Sequence, residues 1–263
     1  YIHSPGTLDN KVAGNYIGTD ASGTQALGNA GGGVRIENQA SNNTIGGTDA
    51  DDGTVDGVVK ARNMISGNSG DGVFIGAGAK GNEVRDNYIG TDTSGTHALG
   101  NTGNGVEIRG SSSTGNLILS NSIFDSGELG IDLIGGDETI LGVTRNDKRD
   151  PDKGANRLQN SPRLSSATLS VGQITVSGLL NSRPRKAFTI QFFSSPTADS
   201  SGFGEGKTFL GQRVIRTNRE GKRSFSTTFA PLQPVSPGEK LTATATNNLT
   251  GDTSEFSAAR EVT

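Results

Sequence analysis

The sequence predicts an all-β protein with two architectures in series: a three-sided parallel β-helix of about four coils, then an antiparallel β-sandwich. Two observations support this prediction. A unit of about twenty-four residues recurs as far as Leu133, and from about Arg163 the pattern changes to alternating strands separated by turns. No window shows helical periodicity beyond about one turn, which excludes helical-bundle and doubly wound folds.

Three short signatures, always in the same order, define the repeat. The first is Asn-x-apolar, at Asn10, Asn43, Asn82 and Asn116; the second is Asn-x-Ile, at Asn15, Asn63, Asn87 and Asn121; the third is Gly-apolar-x-apolar, at Gly33, Gly72, Gly105 and Gly130. One fifteen-residue insertion within 46–62 and two nine-residue insertions explain every departure from this spacing. The nine-residue insertions are two near-identical loops, NYIGTDASGTQALGN and NYIGTDTSGTHALGN.

Each signature is too short to be a stable strand by itself, so its backbone must pair with the units above and below. Stacking at about 4.8 Å per coil aligns four inward columns of apolar side chains. The predicted columns are Val12/Ile45/Val84/Ile118, Ile17/Ile65/Ile89/Ile123, Val34/Val73/Val106/Ile131 and Ile36/Ile75/Ile108/Leu133. The asparagines are expected to turn the corners, with their amides hydrogen-bonded along a ladder.

Composition limits the classes of function. The 263 residues include 40 glycines and no cysteine, are 30% hydrophobic, and carry a net charge of −3. A nucleic-acid partner is not expected because no basic cluster is present, and membrane insertion is not expected because no stretch is sufficiently long and apolar. Without cysteine there are no disulfides and no thiolate zinc sites.

The repeat stops after Leu133, and a polar, turn-rich connector runs from Gly135 to Asn160. Beyond it come six alternating stretches: QITVSGLL, AFTIQFFSS, TFLGQRVIRT, RSFSTTFA, KLTATATN and SEFSAAREV. This spacing predicts an antiparallel sandwich. Its expected core contains Phe188, Phe192, Phe225, Phe229 and Phe256, with either Phe192 or Phe193 facing outward. The predicted domains are 1–134 (parallel β-helix), 135–163 (acidic connector and cap) and 164–263 (β-sandwich).

Several motifs resemble a known family. NYIGTD-x-SGT-x-ALGN, N-x-ISGN-x-x-x-GV-x-I and GIDL, spread between Asn10 and about Leu164, resemble bacterial extracellular right-handed parallel β-helix repeat proteins, relatives of the pectate-lyase fold. LQN-x-P-x-L, GEG-x-TFLG and TATATN are also similar to this family and imply a C-terminal Ig-like sandwich. The right hand of the helix follows from this resemblance and from the chirality of parallel crossovers.

The two ends of the predicted β-helix differ. The connector and sandwich are expected to cover the last coil, since an uncovered sheet edge can template aggregation. The N-terminal edge at Asn10 has no obvious cap, and His3 is expected to fray there. We therefore expect either further upstream coils in a larger parent protein or self-association through the open coil.

The strongest metal candidate lies in the connector sequence NDKRDPDKGAN. The predicted ligands are Asp147, Asp150, Asp152 and Asn156, around Gly154. Oxygen ligands at alternate positions beside a glycine are suited to structural Ca²⁺, although the bidentate glutamate of a typical calcium loop is missing. The alternative is a polar linker held by Asx turns and stiffened by Pro151.

The duplicated loops form a candidate ligand-binding surface. Its predicted residues are Tyr16, Asp20, Thr24, Tyr88, Asp92 and Thr96. The two loops are expected two coils apart, roughly 10 Å, with tyrosines that offer faces for sugar rings. The alternative is a pair of flaps whose aspartates and threonines satisfy their own backbone.

A catalytic alternative comes from the outward positions of the third strand, where Glu107 and Asp132 are expected about one coil apart. That separation is close to the ~5 Å of a retaining carboxylate pair. Against catalysis, neighbouring exposed carboxylates are common, and Arg109 is expected to diverge from them and so to provide no base.

The sequence therefore favours a non-catalytic structural or adhesive module, extracellular or on a bacterial surface, with a polysaccharide or cell-surface glycan as partner. Two alternatives stay open. One is a polysaccharide lyase or glycoside hydrolase acting at Glu107 and Asp132. The other is the subunit of a filament or surface array.

Overall fold

The computed structural model describes residues 1–56, 58–139 and 142–263. In these ranges the chain is all-β apart from two short 3₁₀ turns, Asp49–Asp52 and Ala155–Leu158. The strands of the first half are β1 Ile2–His3, β2 Lys11–Val12, β3 Tyr16–Ile17, β4 Val34–Glu37, β5 Thr44–Gly46, β6 Met64–Ile65, β7 Val73–Ile75, β8 Glu83–Arg85, β9 Tyr88–Ile89, β10 Val106–Arg109, β11 Leu117–Leu119, β12 Ser122–Ile123 and β13 Ile131–Ile134.

These strands form three parallel sheets, each of which takes every third strand. The sheet orders are β1-β4-β7-β10-β13, β2-β5-β8-β11 and β3-β6-β9-β12. Such stacking resembles that of a β-helix, and we refer to residues 2–134 as the stack. Strands of only two to four residues persist here because the interior strands of each sheet pair with the units above and below.

The strand registers confirm the four predicted apolar columns. Val12 pairs with Ile45, Ile45 with Val84, and Val84 with Ile118, and the other three columns align in the same way. The first sheet gains one strand that was not predicted. His3, expected to fray, lies in β1 opposite Glu37. Like side chains stacked on like thus give the stack a narrow, continuous core.

Asparagine ladders run along three corners of the stack. Their members are Asn10/Asn43/Asn82/Asn116, Asn15/Asn63/Asn87/Asn121 and Asn29/Asn68/Asn101. At each step the side-chain oxygen of one asparagine accepts both the backbone N–H and the side-chain amide of the asparagine before it, at 2.8–3.2 Å. Buried amides are therefore paired, which removes the cost of burying them. The third ladder was not predicted.

The second half forms two antiparallel sheets. Their strands are β14 Arg163–Ser170, β15 Gln173–Asn181, β16 Ala187–Ser195, β17 Thr208–Arg216, β18 Lys222–Phe229, β19 Lys240–Asn247 and β20 Arg260–Glu261. The sheet orders are β14-β15-β18 and β17-β16-β19-β20. The two sheets enclose a common core that includes Ile174, Phe188, Phe192 and Leu241.

Two phenylalanines of this half pack into the core of the stack. Phe256 was expected in the sandwich core but lies with Phe193 among the apolar residues of the stack. Their rings meet edge to face, with centroids 5.3 Å apart. Phe192 and Phe193 are both buried, and neither faces outward. Strand β16 lies between the two cores, and its pairing with β17 shifts register between Phe192 and Phe193. The second half therefore completes the interior of the first.

Polar groups also close the C-terminal end of the stack. The backbone N–H of Asn116 donates to Asn156 Oδ1 at 3.0 Å, so Asn156 adds a rung to the first ladder. Ile123 and Gly206 exchange backbone hydrogen bonds, and Ser120 N–H donates to Gln191 at 2.9 Å. The predicted covering of the last unit is thus present in the structure.

Candidate functional site

The duplicated loops, residues 18–28 and 90–100, form two flaps closed by short antiparallel bridges. In the first flap, Asp20 Oδ1 accepts the backbone N–H of Thr24 at 2.9 Å and that of Gln25 at 3.1 Å. In the second, Asp92 Oδ1 accepts the equivalent N–H groups of Thr96 and His97, each at 3.2 Å. Both aspartates thus hold their own loops in shape.

The same hydrogen bonds keep both flap aspartates ionised. The hydroxyl of Ser22 and the loop N–H groups hold the pKa of Asp20 below its ordinary value. Burial raises the pKa of Asp92, but hydrogen bonds from Ser94 and His97 outweigh burial and leave the pKa well below its usual range. Few acceptor positions on these carboxylates are left for a ligand.

The flaps follow strands two coils apart, and they touch each other. The backbone N–H of Thr93 donates to Gly23 O at 3.2 Å. The unit between them has no insertion at this corner, so the two flaps meet over it and bury Met64. Asp20, Thr24, Asp92 and Thr96 consequently belong to one fused surface ridge.

The two predicted tyrosines line clefts beside that ridge. Tyr16, Met64 and Tyr88 occupy paired outward positions of β3, β6 and β9. A cleft of about 640 Å³ lies along them, and a second of about 320 Å³ continues toward the antiparallel sheets. Tyr88, Arg62 and Gln233 line both clefts. We refer to the two together as the aromatic groove.

The groove combines aromatic faces with cationic donors. Tyr16 is 51% exposed. The guanidinium carbon of Arg62 lies 4.0 Å from the ring centroid of Tyr88, a cation–π contact that fixes both side chains. Lys207 Nζ lies 4.5 Å from the ring of Phe124 at the other end. Such a surface offers stacking faces and charged hydrogen-bond donors side by side.

Sequence reasoning found the tyrosines and missed their neighbours. Arg62 directly precedes a ladder asparagine, and its place at the end of an insertion was the available signal. Lys207 and Gln233 come from the antiparallel half and reach the groove only through docking. No local pattern in the sequence indicates that placement.

The predicted carboxylate pair is present and nearly inaccessible. Glu107 and Asp132 occupy paired positions of β10 and β13, and they are 5% and 6% exposed. Asn104 donates its amide to Glu107 Oε2 at 3.2 Å, and Arg109 Nε lies 2.9 Å from Glu107 Oε1. The expectation that Arg109 diverges is wrong, since residues two apart on a strand face the same side.

A cleft of about 380 Å³ opens beside Asp132, lined also by Glu128 and Ser201. Burial, and then the charge of Glu107, raise the pKa of Asp132 to about 7. Burial and the charge of Asp71 raise the pKa of Glu107. In the described ranges Asp132 Oδ1 has no hydrogen-bond partner. Raised pKa values in a cleft are a feature of acid–base sites.

The connector brings together three of its four predicted metal ligands. Asp147, Asp150 and Asp152 each have a carboxylate oxygen within 4.8 Å of the others. Burial raises the pKa of Asp150 to about 7 and also raises that of Asp152. Asn156 is used elsewhere, because its amide spans Asn116 and Thr253 at the end of the first ladder.

Two further buried carboxyls, which were not predicted, close the end of the stack. Glu205 accepts the backbone N–H of Asp125 and of Ser126 at 2.7 and 2.8 Å. Glu255 accepts those of Leu133 and Thr144 at 3.1 and 3.0 Å. Burial raises the pKa of Glu205 to about 7 and that of Glu255 to about 8.

The fold and sites define an all-β protein in which antiparallel sheets close a β-helix-like stack. No family model and no curated protein matches the sequence. A solved structure described as the BSP domain of a biofilm-associated protein is similar, at 21% identity and a TM-score of 0.27. The similarity covers 42% of this chain and 15% of that one. In the described residues no helix is long and apolar enough to cross a membrane.

Proposed function

We propose that this chain is a non-catalytic structural and adhesive module of a bacterial surface or secreted protein, and that it binds glycan in the aromatic groove. In this proposal the stack is a right-handed parallel β-helix of about four coils, and the second half is an Ig-like sandwich. The hand follows from the crossover rule. The single supporting observation is the groove itself, which joins both halves of the molecule through Arg62, Tyr88 and Gln233.

The chemistry of the groove fits a carbohydrate chain. Sugar rings present apolar faces that pack on aromatic side chains, and Tyr16 leaves half of its surface free for such a contact. Arg62 and Lys207 each donate one hydrogen bond to a backbone carbonyl, of Asp86 and Thr96, and have further N–H groups that suit hydroxyl and carboxylate oxygens. The asparagine ladders hold the groove on short strands, each paired with at least one neighbour, so little ordering would be needed on binding.

The test is binding of acidic and neutral polysaccharides by isothermal titration calorimetry. Replacing Tyr16 (Tyr16→Ala) is expected to weaken binding about tenfold, which corresponds to about 1.4 kcal/mol. Tyr1→Ala is the matched control, because Tyr1 is exposed but does not line the groove. The proposal fails if no polysaccharide binds, or if the two variants bind equally well.

A glycoside hydrolase or lyase is the second candidate function. The unpartnered oxygen of Asp132, its raised pKa and the adjoining cleft favour it. In that case Asp132→Asn and Glu107→Gln would each abolish release of reducing sugar or unsaturated product, while Tyr16→Ala would retain turnover at saturating substrate. Absence of cleavage over a panel of polysaccharides would eliminate this candidate.

A further inference from the structure

The connector concentrates negative charge in a small volume. Asp147, Asp150 and Asp152 have carboxylate oxygens within 4.8 Å of one another. Across residues 1–56, 58–139 and 142–263, no lysine or arginine forms an ion pair with any of the three. Like charges at this spacing repel unless one carboxyl holds a proton or a cation offsets the charge.

Two oxygens in this cluster are buried without partners. Asp150 is 1% exposed, and its Oδ1 has no hydrogen-bond partner in the described chain. Its other oxygen, Oδ2, accepts the Ser182 hydroxyl and the backbone N–H of Asn160. Asp152 Oδ1 is also buried and unpartnered in the described chain. A buried carboxylate oxygen without a partner is costly, so these oxygens are available to a ligand that is itself positive.

We propose that Asp147, Asp150 and Asp152 bind one divalent cation that prefers oxygen ligands, Ca²⁺. Calcium takes six to eight oxygens in flexible geometry, so three carboxylates can provide half or more of the shell and water the rest. Asn156 is not a ligand, because its amide forms the last rung of the first ladder. Mg²⁺ suits the cluster less well because it demands near-octahedral geometry and retains its water.

The cation would fasten the connector to the antiparallel half. Asp150 is hydrogen-bonded to Ser182, which directly follows β15. Asn160 donates its amide to the backbone oxygens of Asp147 and Asn181, at 2.8 and 2.7 Å. Binding at the aspartates therefore stabilises the segment that joins the stack to the sheets. A cation that binds only the folded chain raises the melting temperature by mass action.

The experiment uses the whole chain, treated with chelator and then titrated with CaCl₂ or MgCl₂ by calorimetry, with melting followed in parallel. We expect one Ca²⁺ per chain, a higher melting temperature, and weaker binding of Mg²⁺. Asp150→Asn and Asp152→Asn are each expected to weaken Ca²⁺ binding at least tenfold. Asp137→Asn, which alters an exposed acid of the same connector, is expected to leave it unchanged.

If Asp150→Asn does not fold, the more exposed Asp152 carries the test. Absence of Ca²⁺ heat together with an unchanged melting temperature would overturn the proposal. It would also be overturned if Asp152→Asn bound Ca²⁺ as tightly as the unmodified chain. Loss of binding in Glu128→Gln with retention in Asp152→Asn would place the site in the cleft beside Asp132 and likewise refute it. Neither result depends on glycan binding.

Discussion

The two ends of the stack are finished in different ways. At the C-terminal end, Asn156 adds a rung to the first ladder, and the carboxylates of Glu205 and Glu255 accept four backbone N–H groups. At the N-terminal end, Asn10 and Asn15 are exposed and donate their amides to the next rung and to nearby carbonyls. Along the ladders the acceptors are neutral asparagine amides, whereas at the closed end buried carboxylates accept backbone N–H groups beside the amide of Asn156.

This difference shows that a ladder can end without a further coil. A side-chain oxygen that lies one coil spacing beyond the last coil can accept the backbone N–H groups of that coil. The antiparallel half provides such oxygens from Glu205 and Glu255. A carboxylate that does so is buried and gains a pH dependence that an asparagine lacks. At the open end the ladders run the other way: Asn10 and Asn15 donate to the next rung, and no preceding rung of the described residues donates to their own side-chain oxygens. Self-association there stays a prediction, which sedimentation velocity at rising concentration can test.

The largest expected loss of stability comes from removing an interior asparagine of a ladder. Asn82 is fully buried, its side-chain oxygen accepts two hydrogen bonds from Asn43, and its amide donates to Ala40 O and Asn116. Asn82→Ala leaves these groups unsatisfied, so we expect a loss of about 3 kcal/mol in the free energy of unfolding. Urea denaturation measures it.

Asn10→Ala is the matched control for that variant. Asn10 is exposed at the open end, and water can replace its hydrogen bonds. The expected loss is below about 0.5 kcal/mol. Equal losses in Asn10→Ala and Asn82→Ala would mean that position along the ladder does not matter.

The second effect, in order of size, is a fall in stability as the pH rises from 5 to 8.5. Burial raises the pKa of Glu255 to about 8 from an ordinary value of 4.5, and that of Glu205 to about 7. A carboxyl with a raised pKa contributes stability below its ordinary pKa and loses it as the pH rises through the folded value. We expect the melting temperature to fall by about 5 °C over this window.

Glu255→Gln sharpens this test. Glutamine does not ionise, so the decline with pH should become shallower. Leu133 and Thr144 donate to different oxygens of Glu255, and glutamine can accept only one of these hydrogen bonds, so the variant is also expected to be less stable at every pH. Carboxyls with lowered pKa, such as Asp92, change charge at more acidic pH and do not affect the window. A melting temperature that rose between pH 5 and 8.5 would contradict the assignment of the buried carboxyls.

The smallest expected effect is a difference in stability between variants of the two flaps. Asp92 is buried and also contacts His97 Nδ1 at 3.0 Å, whereas Asp20 is half-buried and has Gln25 at the equivalent position. We expect Asp92→Ala to destabilise the chain by about 1 kcal/mol more than Asp20→Ala. Limited proteolysis would show cleavage in the altered flap. Faster cleavage in Asp20→Ala would reverse this ranking.

Most of the stack could be predicted from the sequence because its information is local and repeated. Val12, Ile45, Val84 and Ile118 recur at fixed distances from asparagines, and their register follows. The third ladder could have been found in the same way, since Asn29, Asn68 and Asn101 each follow a glycine. The direction of Arg109 could have been derived from strand alternation.

The rest depends on docking, for which the sequence has no repeated signal. Phe256 alternates like a residue of the sandwich core, yet it enters the core of the stack because the two halves share an interior. Glu205 and Glu255 look like ordinary surface acids until the last N–H groups of the stack lie against them. Lys207 also reaches the aromatic groove only because the antiparallel half packs against the stack.

The central claim is that interior asparagine rungs hold the stack together, and amide hydrogen exchange measured residue by residue tests it most directly. The backbone N–H groups of Asn43, Asn63, Asn82 and Asn87 each donate to the next rung. They should exchange only through global unfolding, far more slowly than the N–H of Thr24 in the first flap. Exchange of the rung amides as fast as that of the flap would contradict the claim.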